Sequence, residues 1–171
     1  MKKQKRAQAE VITTILLILV GIAAVIVVSG FVINMVRNSL KGTDCFETMG
    51  QLKINSDTSF TFFNSTNKSL YLNIERETKQ FNLTGISVTF GTDYSTKTIK
   101  ITSGSVDNVK YILSNGTIVD NVEMPDVGET KTYVISVSSY GLTEVNTVII
   151  APIIINNVQC DKADEKKISS A

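Results

Sequence analysis

Residues 11–36 read VITTILLILVGIAAVIVVSGFVINMV, 26 consecutive positions without a charged side chain. Ile, Val, Leu and Ala occupy every face of the run, so it has no polar stripe to turn toward water. An all-round apolar helix belongs in lipid or inside a large protein, and the rest of this chain is too small to enclose one. As a helix the run would extend roughly 39 Å at about 1.5 Å per residue, more than the hydrocarbon core of a bilayer requires. Its β-branched residues are poor helix formers in water. In hydrocarbon, however, each backbone N–H and C=O must find its partner within the segment, which forces a helix.

Working outward, the segment separates two regions of different charge. Before it stand Lys2, Lys3, Lys5 and Arg6 against Glu10, a local charge of +3. After it, 135 residues carry 13 basic and 15 acidic groups, a charge of −2. Basic residues stay on the cytoplasmic side of a first membrane helix, which predicts an N-terminus inside the cell and a C-terminal domain outside it. The whole chain has 171 residues, a net charge of +1, 43% hydrophobic and 19% charged residues. That composition is too apolar for a disordered chain, and so small a net charge argues against a nucleic-acid partner. There is no histidine, so proton transfer near pH 7 loses its usual agent and transition metals lose their commonest ligand.

Three readings fit the apolar segment. A removable secretory signal has an apolar stretch of ~7–15 residues, shorter than this one, although Ser29-Gly30 imitates a cleavage site. A permanent single-span anchor fits the length. The third reading rests on Lys5-Arg6-Ala7-Gln8-Ala9-Glu10.

That stretch resembles the class III signal sequence of type IV pilins, in particular archaeal pilins and archaellins. In that family a short basic leader is cut on the cytoplasmic side of the apolar helix, after a small residue preceded by Lys or Arg. Lys5 and Arg6 match the recognised basic residues, Ala7 the small residue and Gln8 the first mature one. The resemblance covers roughly residues 2–36. It implies cleavage between Ala7 and Gln8 by a prepilin peptidase, with the helix retained. It also implies that an assembly ATPase and a platform protein build the subunits, with copies of themselves or related pilins, into a cell-surface filament. Many pilins carry Glu at the fifth mature position, whereas Glu10 would be third. A carboxylate there still favours the positive end of the helix dipole and can pair with a neighbouring subunit's free amine. Gly21, Ala23 and Ala24 permit close helix packing, and Thr13 and Thr14 can hydrogen-bond within or between helices.

The apolar pattern stops at Arg37, Asn38 and Lys41, with Gly42 as a C-cap candidate and Thr43 or Asp44 able to cap one further turn before Gly50. From there the period becomes two. The segments 52–55, 59–63, 69–75, 85–90, 98–102, 108–113, 132–137 and 146–154 read as strands, rich in β-branched and aromatic residues. Turn signals at 64–67, 91–93, 103–104, 115–116 and 125–129 separate them. The expected fold is therefore α+β: a long apolar N-terminal helix followed by an antiparallel β-sandwich head, immunoglobulin-like in the broad sense. Archaellin resemblance implies a sandwich head as well. The boundaries are a leader at 1–7, a helix at 8–41, a connector at 42–50, a head at 51–160 and a charged tail at 161–171. Pro152 interrupts the last long strand, which therefore belongs at an edge, at a bulge, or where the chain bends around the end of the sandwich.

Cys45 and Cys160 flank the head. Outside the membrane they can pair within one chain, closing most of the head into a loop; a free buried pair and an intersubunit bond are the alternatives. No CxxC or histidine ligand set is present, so neither a metal nor a cofactor is expected. Asn64, Asn67, Asn82 and Asn115 begin Asn-x-Ser/Thr sequons. With 13 Asn and 35 Ser plus Thr, chance alone gives about three, so topology rather than number makes them candidates for glycosylation. Glu75-Arg76-Glu77 reads as a solvated hairpin end, and Asp161 to Ala171 as a solvated, frayed terminus. No nucleophile–base pair, phosphate loop or carboxylate cluster points to an enzyme.

Overall fold

The computed structural model describes residues 2–55, 57 and 59–168; within its helix, side chains are described for 15–33, 35–36 and 45–46. The chain divides into two units, Met1–Gly42 and Thr43–Ala171. Helix α1 runs from Lys2 to Phe46. It therefore passes through Gly42, where the sequence offered a stop. A glycine inside a helix costs about 1 kcal/mol relative to alanine, and here the following turn is fixed from outside the helix by a bond at Cys45. The backbone leaves the helix through turns in which Thr48 donates to the Cys45 carbonyl from its amide and from Oγ1 (3.1 and 2.8 Å). Gly50, at φ +68°, completes the reversal.

All eight expected strands form: β1 (Leu52–Ile54), β2 (Phe62–Asn64), β3 (Ser69–Arg76), β4 (Leu83–Gly91), β5 (Thr96–Thr102), β7 (Val109–Ile112), β10 (Thr130–Ser136) and β11 (Thr147–Ile154). Five short ones join them: β6 (Gly104–Ser105), β8 (Ile118–Val119), β9 (Asn121–Val122), β12 (Val158–Gln159) and β13 (Asp164–Lys167). One sheet has the order β1–β3–β10–β7–β8 with β2 also on β3; the second is β12–β11–β4–β5 with β13 also on β11; β6 and β9 form a ribbon. Every pairing is antiparallel. Leu70, Leu72 and Ile74 of β3 and Tyr133 and Ile135 of β10 share one core with Ile86, Val88 and Phe90 of β4 and Val148 and Ile150 of β11. Two sheets closing over one core make the head a β-sandwich.

Three expectations are corrected. Residues 59–60 lie in a turn instead of starting a strand, because the Asp57 carbonyl accepts the Phe60 and Thr61 amides and its carboxylate accepts the Ser59 amide. The strand carrying Pro152 is interior, with β4 on one side and β12 and β13 on the other. Pro152 is tolerated because its polar backbone edge faces the gap between those two short strands, where its carbonyl accepts the Cys160 amide at 2.9 Å. A bulge follows in the β4 ladder at Ile153/Ile154, so the bulge alternative applies. The charged terminus is not frayed over its described part: β13 pairs with Thr147–Ile150 of β11. Asp164 Oδ2 accepts the Ile54 amide at 2.8 Å, Lys166 Nζ donates to the Asn55 carbonyl at 3.1 Å, and Ile168 is buried.

An exposed apolar helix and a disulfide-closed β domain

Within α1, Ile15–Ile33 is long and apolar enough to cross a membrane, and none of it is buried. Nineteen residues rise about 28 Å, close to the hydrocarbon thickness. Exposed side chains include Leu16, Leu17, Ile18, Leu19 and Val20, positions that follow one another around the whole helix. Each large aliphatic side chain left in water forgoes about 1.5–3 kcal/mol, so the segment needs lipid or other helices around it. A Cβ placed at Gly21 or Gly30 would meet nothing within 4 Å, so the small-residue faces are open to a close neighbour. Such a helix is a signal sequence or a membrane anchor. Lys5, Arg6, Ala7, Gln8 and Glu10, with Thr13 and Thr14, lie outside the described side chains.

Cys45, in the last turn of α1, is bonded to Cys160 with Cα atoms 5.3 Å apart. The bond is intramolecular and spans 115 residues. Cys160 is buried and its amide is bound to Pro152 of β11, so the covalent link ties the foot of the helix to an interior strand. A bond of this kind marks a domain outside the cytoplasm.

Two cations of the head are buried, the first of them against the sequence reading. Arg76 is 8% exposed, which corrects its assignment to a solvated hairpin end. Its guanidinium donates to the Pro125 and Phe81 carbonyls at 3.1 and 2.5 Å and lies over the Phe81 ring at 4.6 Å. Among the described residues its Nε has no hydrogen-bond partner. Desolvation draws its pKa down, with Asp126 partly opposing. Arg76 lines a cleft of about 610 Å³ together with Phe81, Leu83, Val127, Ile154 and Ile155. Lys131 is 6% exposed and lies 3.0 Å from Glu123 and 3.4 Å from Glu129, with its ammonium over the Tyr111 ring at 5.1 Å. Burial works against its charge, but the Glu123 hydrogen bond and the Glu129 carboxylate outweigh it and raise the pKa. The signal for both was present in the strand period. Arg76 continues the inward series Leu70, Leu72, Ile74, and Lys131 precedes Tyr133 and Ile135 on the same face of β10.

The sequons differ in setting. Asn67, Asn82 and Asn115 are exposed and Asn64 is half-buried. Asn64, Asn67 and Asn115 turn Oδ1 back onto the amides of Thr66, Ser69 and Thr117, which are each two residues on. Thr84, the hydroxyl residue of the Asn82 sequon, instead donates to the Ile153 and Ile154 carbonyls. Among the described residues no group of three or more His, Cys, Asp or Glu side chains is placed to hold a metal ion. Compared with models of known protein families, with curated proteins and with solved structures, the chain has no match.

Proposed function

We propose that this chain is a pilin-like structural subunit of an archaeal cell-surface filament, held in the membrane by its N-terminal helix before assembly. The observation that carries the reading is the wholly exposed apolar helix Ile15–Ile33, preceded by Lys5-Arg6-Ala7-Gln8 and followed by a disulfide-closed β domain. A membrane anchor alone has no use for a small residue followed by Gln at the cytoplasmic end of its helix. A filament subunit does, because removing the basic leader leaves Gln8 as a free amine at the start of an apolar rod.

In this reading a prepilin peptidase recognises Lys5 and Arg6 and cuts between Ala7 and Gln8. An assembly ATPase and a platform protein then move the subunit from lipid into a bundle of helices from other copies. That transfer exchanges one apolar surrounding for another, so hydrophobic energy changes little and packing at small residues supplies the specificity. Glu10 pairs with the neighbouring free amine and sets axial register; leaving such a charge buried and unpaired would cost several kcal/mol. The heads form the outer surface.

Mass spectrometry of the mature N-terminus, on membranes and on sheared surface material, tests the reading. A chain beginning at Gln8 in the sheared fraction is expected. Retention of Lys2 to Arg6, with recovery from membranes only, would replace the reading with a single-pass protein that presents its sandwich as a binding domain. A start near Phe31 would mean a secreted head.

A further inference from the structure

We infer that outside thiols and disulfides exchange with the Cys45–Cys160 bond at the Cys45 sulfur, with Cys160 as the resolving cysteine, so that the foot of the helix is where a thiol–disulfide oxidant acts on this chain. The inference holds for a filament subunit and for a permanent anchor alike, because both readings place the β domain outside the cytoplasm. Both cysteines belong to the Thr43–Ala171 unit, so their setting is that of one compact body. Cys45 is half-buried and stands beside a turn whose side chains face water: Phe46 is 71% exposed, Met49 is 59% exposed, and Glu47 is exposed as well. Cys160 is 7% exposed, and its amide is held at 2.9 Å by the carbonyl of Pro152 in an interior strand.

In thiol–disulfide exchange the incoming thiolate, the attacked sulfur and the departing sulfur lie in line, so access behind each sulfur governs where attack falls. Charge does not choose between the two. Lys162, two residues after Cys160, is engaged with Glu165 at 2.8 Å, and Cys45 stands in the last turn of α1, at the negative end of the helix dipole. Access therefore decides, and it favours Cys45. A cleft of about 270 Å³ borders Cys160 beside Ser87, Ala151 and Asp161. Ser87 and Ala151 are themselves buried, at 2% and 7% exposure, so this competing route is the narrower one.

The bond then forms in two displacements. The Cys45 thiolate attacks one sulfur of the oxidant's disulfide, forming a mixed disulfide and releasing the oxidant's first thiolate. The Cys160 thiolate attacks the Cys45 sulfur from inside the head, closing Cys45–Cys160 and releasing the second thiolate. Two electrons pass from the protein to the oxidant and two protons are given up. Reduction runs the same path backwards. An outside thiolate bonds to Cys45 and expels the Cys160 thiolate, which stays in place. Pro152 holds the Cys160 backbone, β12 pairs the two residues before it with Ile153 and Ile154, and Thr48 holds the Cys45 carbonyl. With Cα atoms 5.3 Å apart, the Cys160 thiolate acts at an effective concentration far above that of an outside thiol, so the bond recloses before a second thiol completes the reduction.

The test uses the wild-type, full-length chain in detergent. Excess reduced glutathione is added to the native protein, exchange is stopped with acid, and glutathione adducts are mapped by peptide mass spectrometry. Adducts on Cys45 should exceed those on Cys160 at least about tenfold, and the two should become nearly equal in urea, where both sulfurs are open. A second measurement runs the chemistry forwards with oxidised glutathione on the Cys160→Ser and Cys45→Ser chains, each first checked for its fold by near-UV circular dichroism. The Cys45 thiol of the former should react at least about tenfold faster than the Cys160 thiol of the latter. Equal native labelling, an excess on Cys160, a Cys45 bias that persists unchanged in urea, or no native adduct where urea gives both would each overturn the inference. If a variant fails to fold, the wild-type mapping decides alone.

Discussion

Removing the Cys45–Cys160 bond should be the most costly covalent change that leaves the head's strands untouched. The bond closes a separation of 115 residues, for which the loss of chain entropy in the unfolded state corresponds to about 4.8 kcal/mol at 25 °C. Replacing both residues with alanine adds about 1 kcal/mol for the buried Cys160 sulfur. Domains of this size are stable by roughly 6–19 kcal/mol in total, so the bond supplies a large share. With an unfolding entropy near 2.1 cal/mol/K per residue, a loss of about 5.8 kcal/mol over the Thr43–Ala171 unit lowers the melting temperature by roughly 21 °C. The assay is urea unfolding of full-length protein in detergent, followed by near-UV circular dichroism of its tyrosines. The Cys45→Ala, Cys160→Ala chain should lose about 5.8 kcal/mol and gain a steeper denaturant dependence, since its unfolded state is no longer cross-linked. A loss below about 1 kcal/mol with an unchanged slope would refute the entropic reasoning. Residual structure in the unfolded chain would then already be holding the two positions close together.

Three further outcomes follow from the head. Burial raises the pKa of Tyr133, whose ordinary value is 10.0, and carboxylate contacts raise that of Lys131, ordinarily 10.5. Both groups hold a proton more tightly in the folded state, so their stabilisation is complete below pH 10 and is lost as pH rises through the folded values. Tyr133→Phe should cost about 1 kcal/mol at neutral pH, through the lost 2.8 Å hydrogen bond to the Glu123 carbonyl, yet flatten the alkaline limb in a pH titration of unfolding. Gly91→Ala would set a Cβ 2.1 Å from the Ser95 carbonyl oxygen at φ +152°; a destabilisation of about 3 kcal/mol is expected in thermal melts. Deleting residues 162–171 should expose the β11 edge at Thr147–Ile150 and produce aggregation visible by light scattering, whereas a merely frayed tail would be dispensable.

The strands that the sequence exposed most clearly are those with period-two apolar runs, such as Leu70-Leu72-Ile74 and Ile86-Val88-Phe90, because burial on one face leaves its mark at every second residue. β13 escaped notice because Asp164-Glu165-Lys166-Lys167 has no apolar face; it is a strand only because β11 offers an edge and Ile54 and Asn55 offer partners for its side chains. Arg76 lay in the inward series of its strand but its charge suggested water, and Lys131 fell just outside the expected strand 132–137. Long-range contacts with Phe81, Pro125, Glu123 and Glu129 are what make their burial possible.

What the sequence determined by itself is local and compositional: an apolar segment too long and too uniform to be anything but a helix in an apolar surrounding, a basic stub ahead of it, and alternating strands that must close over a core. Hydropathy and charge are properties of neighbours along the chain and need no fold to be read. Tertiary structure decided what depends on residues far apart in sequence. Cys45 meets Cys160 because β11 and its short partner strands bring the chain back to the foot of the helix. Pro152 is interior because the strand opposite it is broken at that point. The Arg76 cleft exists because residues 76–83, 127 and 154–155 converge. Each of these is a meeting of separate segments, and its position is fixed only when the two sheets close over their common core.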